Sequence, residues 1–141
     1  MLTTLKKVLA KAHAGNYAVG AFNVNNLEIL QAVMAAAVEM RSPVIVQTSE
    51  GAIEYAGMDY LKAMVEVAAK ANVPVVFHLD HGKNLDVVKK AIGSGYTSVM
   101  YDGSALSYAD NLANTKKVAT LAHAKKISVE AELGAIGGKE D

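Results

Sequence analysis

The stretch Val73-Pro-Val-Val-Phe-His-Leu-Asp-His-Gly82 decides how the rest of the chain is interpreted. Its first half is a short β-branched and aromatic run, a composition that is typical of a buried strand. Three ionisable side chains, His78, Asp80 and His81, follow within four residues. Ionisable groups at the end of a buried strand need polar partners, and a carboxylate beside imidazoles is suited to acid–base or metal chemistry.

The sequence leaves open where these three side chains point. Side chains alternate along a strand, so His78 and Asp80 share one face and His81 takes the other, unless His81 already lies in the turn and swings toward Asp80. A purely structural role in the core is the alternative for any isolated His-x-Asp-His pattern. We expect that role for His78, as a buried, hydrogen-bonded histidine.

Composition restricts the class of protein. The 141 residues are 52% hydrophobic and contain 14 basic and 14 acidic side chains, which suits one soluble domain over residues 1–141. The neutral balance gives no support for nucleic acid or an anionic membrane as partner, and no apolar run approaches the roughly 20 residues that span a bilayer. Cysteine is absent, which excludes a thiol nucleophile and is compatible with a cytoplasmic location.

Strand-like and helix-like segments alternate along the whole chain. Strands are predicted at 17–22, 44–48, 73–82, 97–101 and 127–133, and helices at 2–14, 27–40, 58–71, 85–92 and 110–125. Short apolar strands that alternate with helices indicate an α/β fold, a parallel sheet covered by helices. No GxGxxG pattern follows the first strand and no Walker A sequence occurs, so phosphate-loop nucleotide folds are disfavoured.

Polar side chains recur at the C-terminal ends of all five predicted strands. They are Asn23, Ser49, Asp80 with His81, Asp102 with Ser104, and Glu130 with Glu132. In a TIM (β/α)8 barrel these ends converge on one rim, which carries the chemistry. In an open doubly wound sheet only the switch point needs to be polar. Five polar ends out of five therefore favour the barrel.

The number of strands indicates a partial barrel. A complete barrel of this type has eight strands and about 250 residues, whereas five strands are predicted here. Five strands leave two edges with unpaired N–H and C=O groups and half of the barrel interior uncovered. We therefore expect one piece of a longer or split protein; the alternative is a self-sufficient five-stranded open sheet.

Several motifs occur in one order along the chain. They are Tyr17-Ala-Val-Gly-Ala-Phe-Asn23, Ser42-Pro-Val-Ile-Val46 with Ser49, His78-Leu-Asp-His-Gly82, Asp102-Gly-Ser104, and Val129-Glu-Ala-Glu-Leu-Gly134 leading to Gly137-Gly-Lys-Glu-Asp141. Together they resemble the class II, metal-dependent fructose-bisphosphate aldolases, which include the tagatose-bisphosphate enzymes. That family is a TIM barrel of about twice this length, so the chain resembles its N-terminal half.

The resemblance implies a reaction and a set of residues. The reaction is the reversible, zinc-dependent cleavage of fructose 1,6-bisphosphate to dihydroxyacetone phosphate and glyceraldehyde 3-phosphate, in glycolysis and gluconeogenesis. Asp80 would be the catalytic acid/base that exchanges a proton with the C4 hydroxyl, and Glu140 the base that deprotonates dihydroxyacetone phosphate. His81 would bind the catalytic zinc, and Asp102 and Glu132 a second or alternative divalent metal position.

The resemblance also implies that Asn23 and Ser49 contact the phosphorylated substrate. Alternatives remain: Ser49 could be a helix or turn cap, and Asp102 a turn residue before its glycine. Glu130 and Glu132 are two residues apart and share a strand face, so either could be the inward carboxylate or form an ion pair with a lysine. The resemblance selects Glu132.

The part of the family that is missing sets a further expectation. A catalytic zinc usually has three protein ligands and one open position, and the family's two other zinc histidines and its phosphate-binding loops lie in its second half. We expect this chain alone to lack aldolase activity and to bind zinc weakly, because His81 is accompanied only by distant carboxylates. The alternatives are another barrel lyase or isomerase on a phosphorylated sugar, and a half-barrel module that pairs with itself or with a C-terminal half through its open edges.

Overall fold

The computed structural model describes residues 1–134, in which strands and helices alternate. The strands are β1 (Ala21–Asn23), β2 (Val44–Thr48), β3 (Val75–Gly82), β4 (Ser98–Tyr101) and β5 (Ser128–Ala131). The helices are α1 (Leu5–Gly15), α2 (Leu27–Glu39), α3 (Glu50–Ala56), α4 (Met58–Ala68), α5 (Leu85–Gly93) and α6 (Tyr108–Ala124). Among these described helices none is both long and apolar enough to cross a bilayer.

The order of the strands in the sheet distinguishes a barrel from an open doubly wound sheet. All four neighbouring pairs are parallel, and the order β1-β2-β3-β4-β5 follows the chain. A doubly wound sheet reverses its order at a switch point, whereas in a barrel each strand lies beside its predecessor. The described strands therefore form a continuous arc of barrel type, with β1 and β5 at its two edges.

Two elements differ from the prediction. The first strand covers only Ala21–Asn23, because Asn16 takes a left-handed conformation (φ 54°) after α1 and the following residues make the connection. Helix α3 was not predicted at all. It has seven residues, follows the N-cap residue Ser49 and stops before Gly57, whose φ is +83°. So short a helix shows no apolar periodicity that the sequence could reveal.

One face of the sheet is covered by helices and forms the main core. Side chains of β2, β3 and β4 that point to this face, including Val46, Phe77 and Val99, are at most 2% exposed and pack against α2, α4, α5 and α6. The ring of Phe77 stacks on Tyr96 with centroids 3.8 Å apart. The Tyr96 hydroxyl and Thr48 Oγ1 form a buried hydrogen bond of 2.8 Å.

Helix α1 lies on the opposite, inner face of the sheet. Val8 packs there against Ile45 and Val76, which are side chains near the beginning of their strands. The Lys6 N–H donates to Ser128 Oγ at 3.1 Å and ties the helix to β5. Helix α1 therefore covers the N-terminal end of the inner face, and the polar C-terminal ends of the strands face open space.

Candidate active site and metal centre

The C-terminal end of β3 departs from regular strand geometry. The register with β4 shifts between Leu79 and Gly82, and His81 has a φ of 46°, in the left-handed region that non-glycine residues adopt infrequently. This bulge removes His81 from the alternation of the strand, so its side chain lines the same cavity as Asp80. The structure thus selects the alternative in which His81 turns toward the side of Asp80.

Gly82 permits this bulge by the absence of a side chain. A Cβ atom at this position would lie 2.6 Å from Val88 Cγ2 and 2.8 Å from the carbonyl oxygen of Met100 on β4. Neither distance is compatible with van der Waals packing, and one of the two atoms belongs to the backbone of the neighbouring strand. The close approach of β3 and β4 at the site therefore requires glycine at position 82.

A chain of two hydrogen bonds orients the Asp80 carboxylate. The Asn23 Nδ2–H donates to Asp80 Oδ2 at 2.8 Å, and the Gln47 Nε2–H donates to Asn23 Oδ1 at 2.7 Å. The three residues lie on β1, β2 and β3. Gln47 was not among the predicted site residues. It follows the inward-facing Ile45 by two residues and therefore shares its face, and a polar side chain at that position in an otherwise apolar strand was a signal that could have identified it.

His81, Asp102 and Glu132 form a cluster at the ends of β3, β4 and β5. His81 Nδ1 lies 3.1 Å from Asp102 Oδ2 and 3.7 Å from Glu132 Oε2, and one potential ligand atom from each residue lies within 4.8 Å of the other two. The expectation that His81 has only distant carboxylates nearby was therefore wrong. The bulge in β3 brings His81 to both, and strand periodicity could not reveal that.

Asp102 serves both as a turn residue and as a member of this cluster. Its Oδ1 accepts hydrogen bonds from the Ser104 N–H at 3.0 Å and from the Ser104 hydroxyl at 2.6 Å, while its Oδ2 faces His81. Burial raises the pKa of Asp102, but the hydrogen bonds from Ser104 and His81 outweigh that effect and lower it below its usual value. The carboxylate is therefore held in its charged form.

The cluster has the chemistry of a divalent metal site. Among the described residues, the buried Glu132 Oε2 has no hydrogen-bond partner, and a buried carboxylate oxygen without one is energetically costly unless a cation satisfies it. Ligands about 2.1 Å from a tetrahedral zinc ion lie roughly 3.4 Å apart, between the two distances from His81 Nδ1. One imidazole and two carboxylates thus fit zinc or a similar ion.

Glu130 and Glu132 lie close to different histidines. Strand β5 ends at Ala131, so Glu132 lies beyond the strand and reaches His81, whereas Glu130 Oε2 lies 3.5 Å from His78 Nε2. Burial raises the pKa of Glu130. The charges of Asp80 and Glu132 add to this effect, and the charge of His81 opposes it. The choice of Glu132 for the cluster agrees with this geometry.

His78 has the structural role that was expected for it. Its side chain is 3% exposed, and its Nδ1 forms a hydrogen bond of 2.9 Å with Ser98 Oγ on the adjacent strand. Burial lowers the pKa of His78 to about 4, an effect that the charge of Asp80 opposes and that of His81 assists. A neutral imidazole is thus fixed beneath the site.

One predicted site residue, Ser49, lies apart from this group, and another cannot be placed because it is outside the described residues. Ser49 is the N-cap of α3, where its Oγ accepts a hydrogen bond from the Ala52 N–H at 3.2 Å, so the capping alternative is present in the structure. The hydroxyl hydrogen is not used by that bond, and a contact of Ser49 with substrate stays a prediction. Glu140 lies outside the described residues, and its role also stays a prediction.

The inner face and its polar rim enclose a cavity of about 520 Å³. Its floor is apolar, with Leu5 and Leu9 of α1 beneath it, while Asp80, His81 and Glu132 lie at its rim. A cavity with an apolar floor and a few convergent charged groups is the usual form of a small-molecule site. The arrangement can hold a cation beside a carboxylate that is free to exchange a proton with a bound molecule.

The chain matches the family described as fructose-bisphosphate aldolase class-II over residues 3–141. It is 48% identical to a fructose-bisphosphate aldolase of Giardia intestinalis, over 99% of this chain and 44% of that protein. It is 46% identical to a 6-phospho-5-dehydro-2-deoxy-D-gluconate aldolase of Halalkalibacterium halodurans, over 99% of this chain and 50% of that protein. The chain therefore spans about half the length of the curated relatives that it matches.

The fold is shared with solved structures of aldolases. The YdjI aldolase of Escherichia coli K12 superimposes with a TM-score of 0.89 at 37% identity, over 95% of this chain and 53% of that one. These structural neighbours are TIM barrels, so the five parallel strands correspond to part of such a barrel, as the sequence predicted. On these matches and on its own sheet order, the chain belongs to the class-II fructose-bisphosphate aldolase family.

Proposed function

We propose that the chain is the N-terminal part of a zinc-dependent aldolase that cleaves and forms fructose 1,6-bisphosphate. One observation supports this most strongly: the Asp80 carboxylate lines the same cavity as His81 and Glu132, which form a cluster with Asp102. Reversible carbon–carbon cleavage beside a hydroxyl group needs a proton-transfer group and a means of polarising a carbonyl in one cavity. The family of the chain has the same reaction in its name.

Asp80 is the proposed proton-transfer residue. Its carboxylate takes the proton from the C4 hydroxyl as the C3–C4 bond breaks, and returns it to the aldehyde oxygen when the bond forms. The Asn23 amide holds Asp80 Oδ2 at 2.8 Å, which orients the other carboxylate oxygen. Orientation of this kind contributes to the rate because the reacting group already has its reactive geometry when the substrate binds.

His81, Asp102 and Glu132 are the proposed zinc-binding residues. When bound, zinc supplies Lewis-acid polarisation of the substrate carbonyl oxygen. The Ser104 hydroxyl and N–H hold Asp102 Oδ1, so that Asp102 Oδ2 faces His81. Such orientation of a ligand by outer groups is a regular feature of metal sites. The family's two other zinc histidines are expected outside this chain. If they hold the catalytic zinc together with His81, then Asp102 and Glu132 remain available for a second divalent metal position.

The identity of the phosphorylated substrate is part of the proposal. Fructose bisphosphate is favoured by the family and by the Giardia intestinalis relative, which carries that activity in its name. Tagatose bisphosphate is the alternative implied by the sequence motifs. The relative from Halalkalibacterium halodurans is named for 6-phospho-5-dehydro-2-deoxy-D-gluconate, and its comparable identity makes that sugar acid a third substrate to test. We place the enzyme in glycolysis and gluconeogenesis, in the cytoplasm.

The open edges of the sheet favour a second candidate function, in which the chain is an association module without activity of its own. At the β1 edge an apolar cleft of about 590 Å³ lies between the strand and α2, and Phe22, 49% exposed, lines it together with Val33 and Met40. Exposed apolar surface at an unpaired strand edge is a site of association. We propose that the chain, as one partial barrel unit, pairs there with a C-terminal half or with a second copy as a homo-oligomer.

An aldol-cleavage assay tests the function. The chain is assayed with zinc on the three candidate substrates, alone and after mixing with a separately produced C-terminal half of a related enzyme. We expect no turnover by the chain alone, and turnover in the mixture that Asp80→Ala abolishes. Lys6→Ala, at an exposed position on α1 away from the rim, is the matched control and should retain turnover. If the two halves are shown to associate but the mixture has no turnover, the association module is the better description of the chain.

A further inference from the structure

Asn111 is a buried polar side chain on a helix whose other buried residues are apolar. It lies on α6, where the other buried side chains are those of Val118 and Ala122, and it is 5% exposed. Burial of a primary amide is costly unless its hydrogen bonds are made. One hydrogen bond and one packing contact of Asn111 reach the chain segments that carry two of the proposed metal ligands.

The first of these segments is the one that carries Glu132. The Asn111 Nδ2–H donates to the carbonyl oxygen of Glu132 at 2.8 Å. The last residue of β5 paired with β4 is Ala131, so the side-chain amide holds the backbone directly after the strand ends. The Thr115 hydroxyl donates to Asn111 Oδ1 at 3.1 Å, which fixes the orientation of the amide with its donor toward Glu132.

The second segment is the turn that carries Asp102. The Asn111 amide occupies the space beside Gly103, where a Cβ atom would lie 2.6 Å from Asn111 Cγ and 3.0 Å from Tyr101 Cε1. Gly103 has no positive φ, so its backbone conformation is open to other residues and the packing is what requires glycine. The amide thus contacts the residue that follows Asp102 and hydrogen-bonds to Glu132.

We infer that Asn111 is a positioning residue for the metal centre, which fixes the separation of the Asp102 and Glu132 segments through one buried amide. This inference rests on the proposed metal site. The two carboxylates repel each other until a cation binds. The hydrogen bond to the Glu132 carbonyl and the packing against Gly103 keep their oxygens within 4.8 Å of each other and of His81. Loss of an outer group that orients metal ligands weakens metal binding about 10- to 100-fold.

Cobalt binding to the whole 141-residue chain provides the test, because Co²⁺ replaces zinc and its visible absorption reports the ligand geometry. Asn111→Asp keeps the size and the acceptor for Thr115 but removes the donor to Glu132, and Asn111→Ala removes both. We expect both variants to bind Co²⁺ at least about tenfold more weakly, with shifted absorption bands. Asn114→Ala, one helical turn away and bonded to the Tyr101 hydroxyl at 3.1 Å, is the control that should retain affinity and spectrum.

The Gly103→Ala variant gives an independent measurement if the Asn111 variants fold poorly. Its added methyl group displaces the amide, so Co²⁺ affinity should fall; adding Asn111→Ala should restore thermal stability but not affinity. If the wild-type chain binds Co²⁺ and the Asn111 and Gly103 variants bind it with the same affinity and spectrum, this inference alone is overturned. A folded wild-type chain that binds no Co²⁺ at millimolar concentration would overturn the metal site itself, and the inference with it.

Discussion

The buried His78 makes the stability of the fold depend on pH. Its side chain is 3% exposed and bonded to Ser98, and its pKa is lowered by burial from 6.5 to about 4. The titratable groups that face it are Asp80 and His81 on its own strand and Glu130 on β5. Above pH 6.5 the imidazole is neutral in the folded and the unfolded chain, so it contributes no pH dependence there.

Below pH 6.5 the unfolded chain binds a proton at His78 that the folded chain does not bind. The free energy of unfolding therefore decreases as the pH falls from 6.5 to about 4. A lowering of the pKa to about 4 corresponds to a loss of about 3 kcal/mol at the acid end, since each pKa unit is about 1.4 kcal/mol. That amount is a large part of the stability of an ordinary domain.

Urea unfolding at pH 7, 6, 5 and 4 measures this effect, with His78→Asn as the comparison. Asparagine keeps a partner for Ser98 and does not titrate, so the variant should lose less stability than the wild type over this range, by up to about 3 kcal/mol. The exposed His13 and His123 are present in both proteins and cancel in the difference. Parallel stability curves, or an NMR titration of His78 near pH 6.5, would refute the reasoning.

Three further changes have defined expectations. Tyr96→Phe leaves the buried Thr48 hydroxyl without its partner and should lower the free energy of unfolding by about 1–3 kcal/mol in urea; a fully stable variant would contradict this. Gly82→Ala forces a Cβ atom against the Met100 carbonyl and should lower the melting temperature together with Co²⁺ affinity, and unchanged affinity would mean that the bulge is not needed. Gln47→Leu should reduce kcat in the reconstituted assay about tenfold with little change in KM; an altered KM alone would indicate substrate binding.

The fold was largely predictable because its information is local. The apolar runs at residues 44–48 and 97–101 gave strand boundaries within a residue of those observed, and the helix predicted at 27–40 begins directly after its cap residue Asn26. The polar ends of the strands predicted which end of the sheet carries the site. Helix α3 was missed because seven residues are too few for a periodic signal.

The sequence named residues that the structure brings together in the candidate site, but it did not give their geometry. Asp80 and His81 were identified by their chemistry at the end of a strand, whereas the contact between His81 and Glu132 depends on a bulge that periodicity does not encode. Gln47 and Asn111 act on the site through other residues, at distances set by tertiary packing. Partners of that kind carry a weak local signal, because a polar residue in a strand or helix has many possible roles.

The most direct test of the metal centre is anomalous diffraction at the zinc absorption edge from crystals of the zinc-loaded chain. We expect one dominant peak within bonding distance of His81, Asp102 and Glu132, and its loss in a Glu132→Gln variant that still folds. Strong peaks only at the exposed His13 and His123, or no bound zinc in a folded chain, would contradict the assignment of this cluster as the metal site.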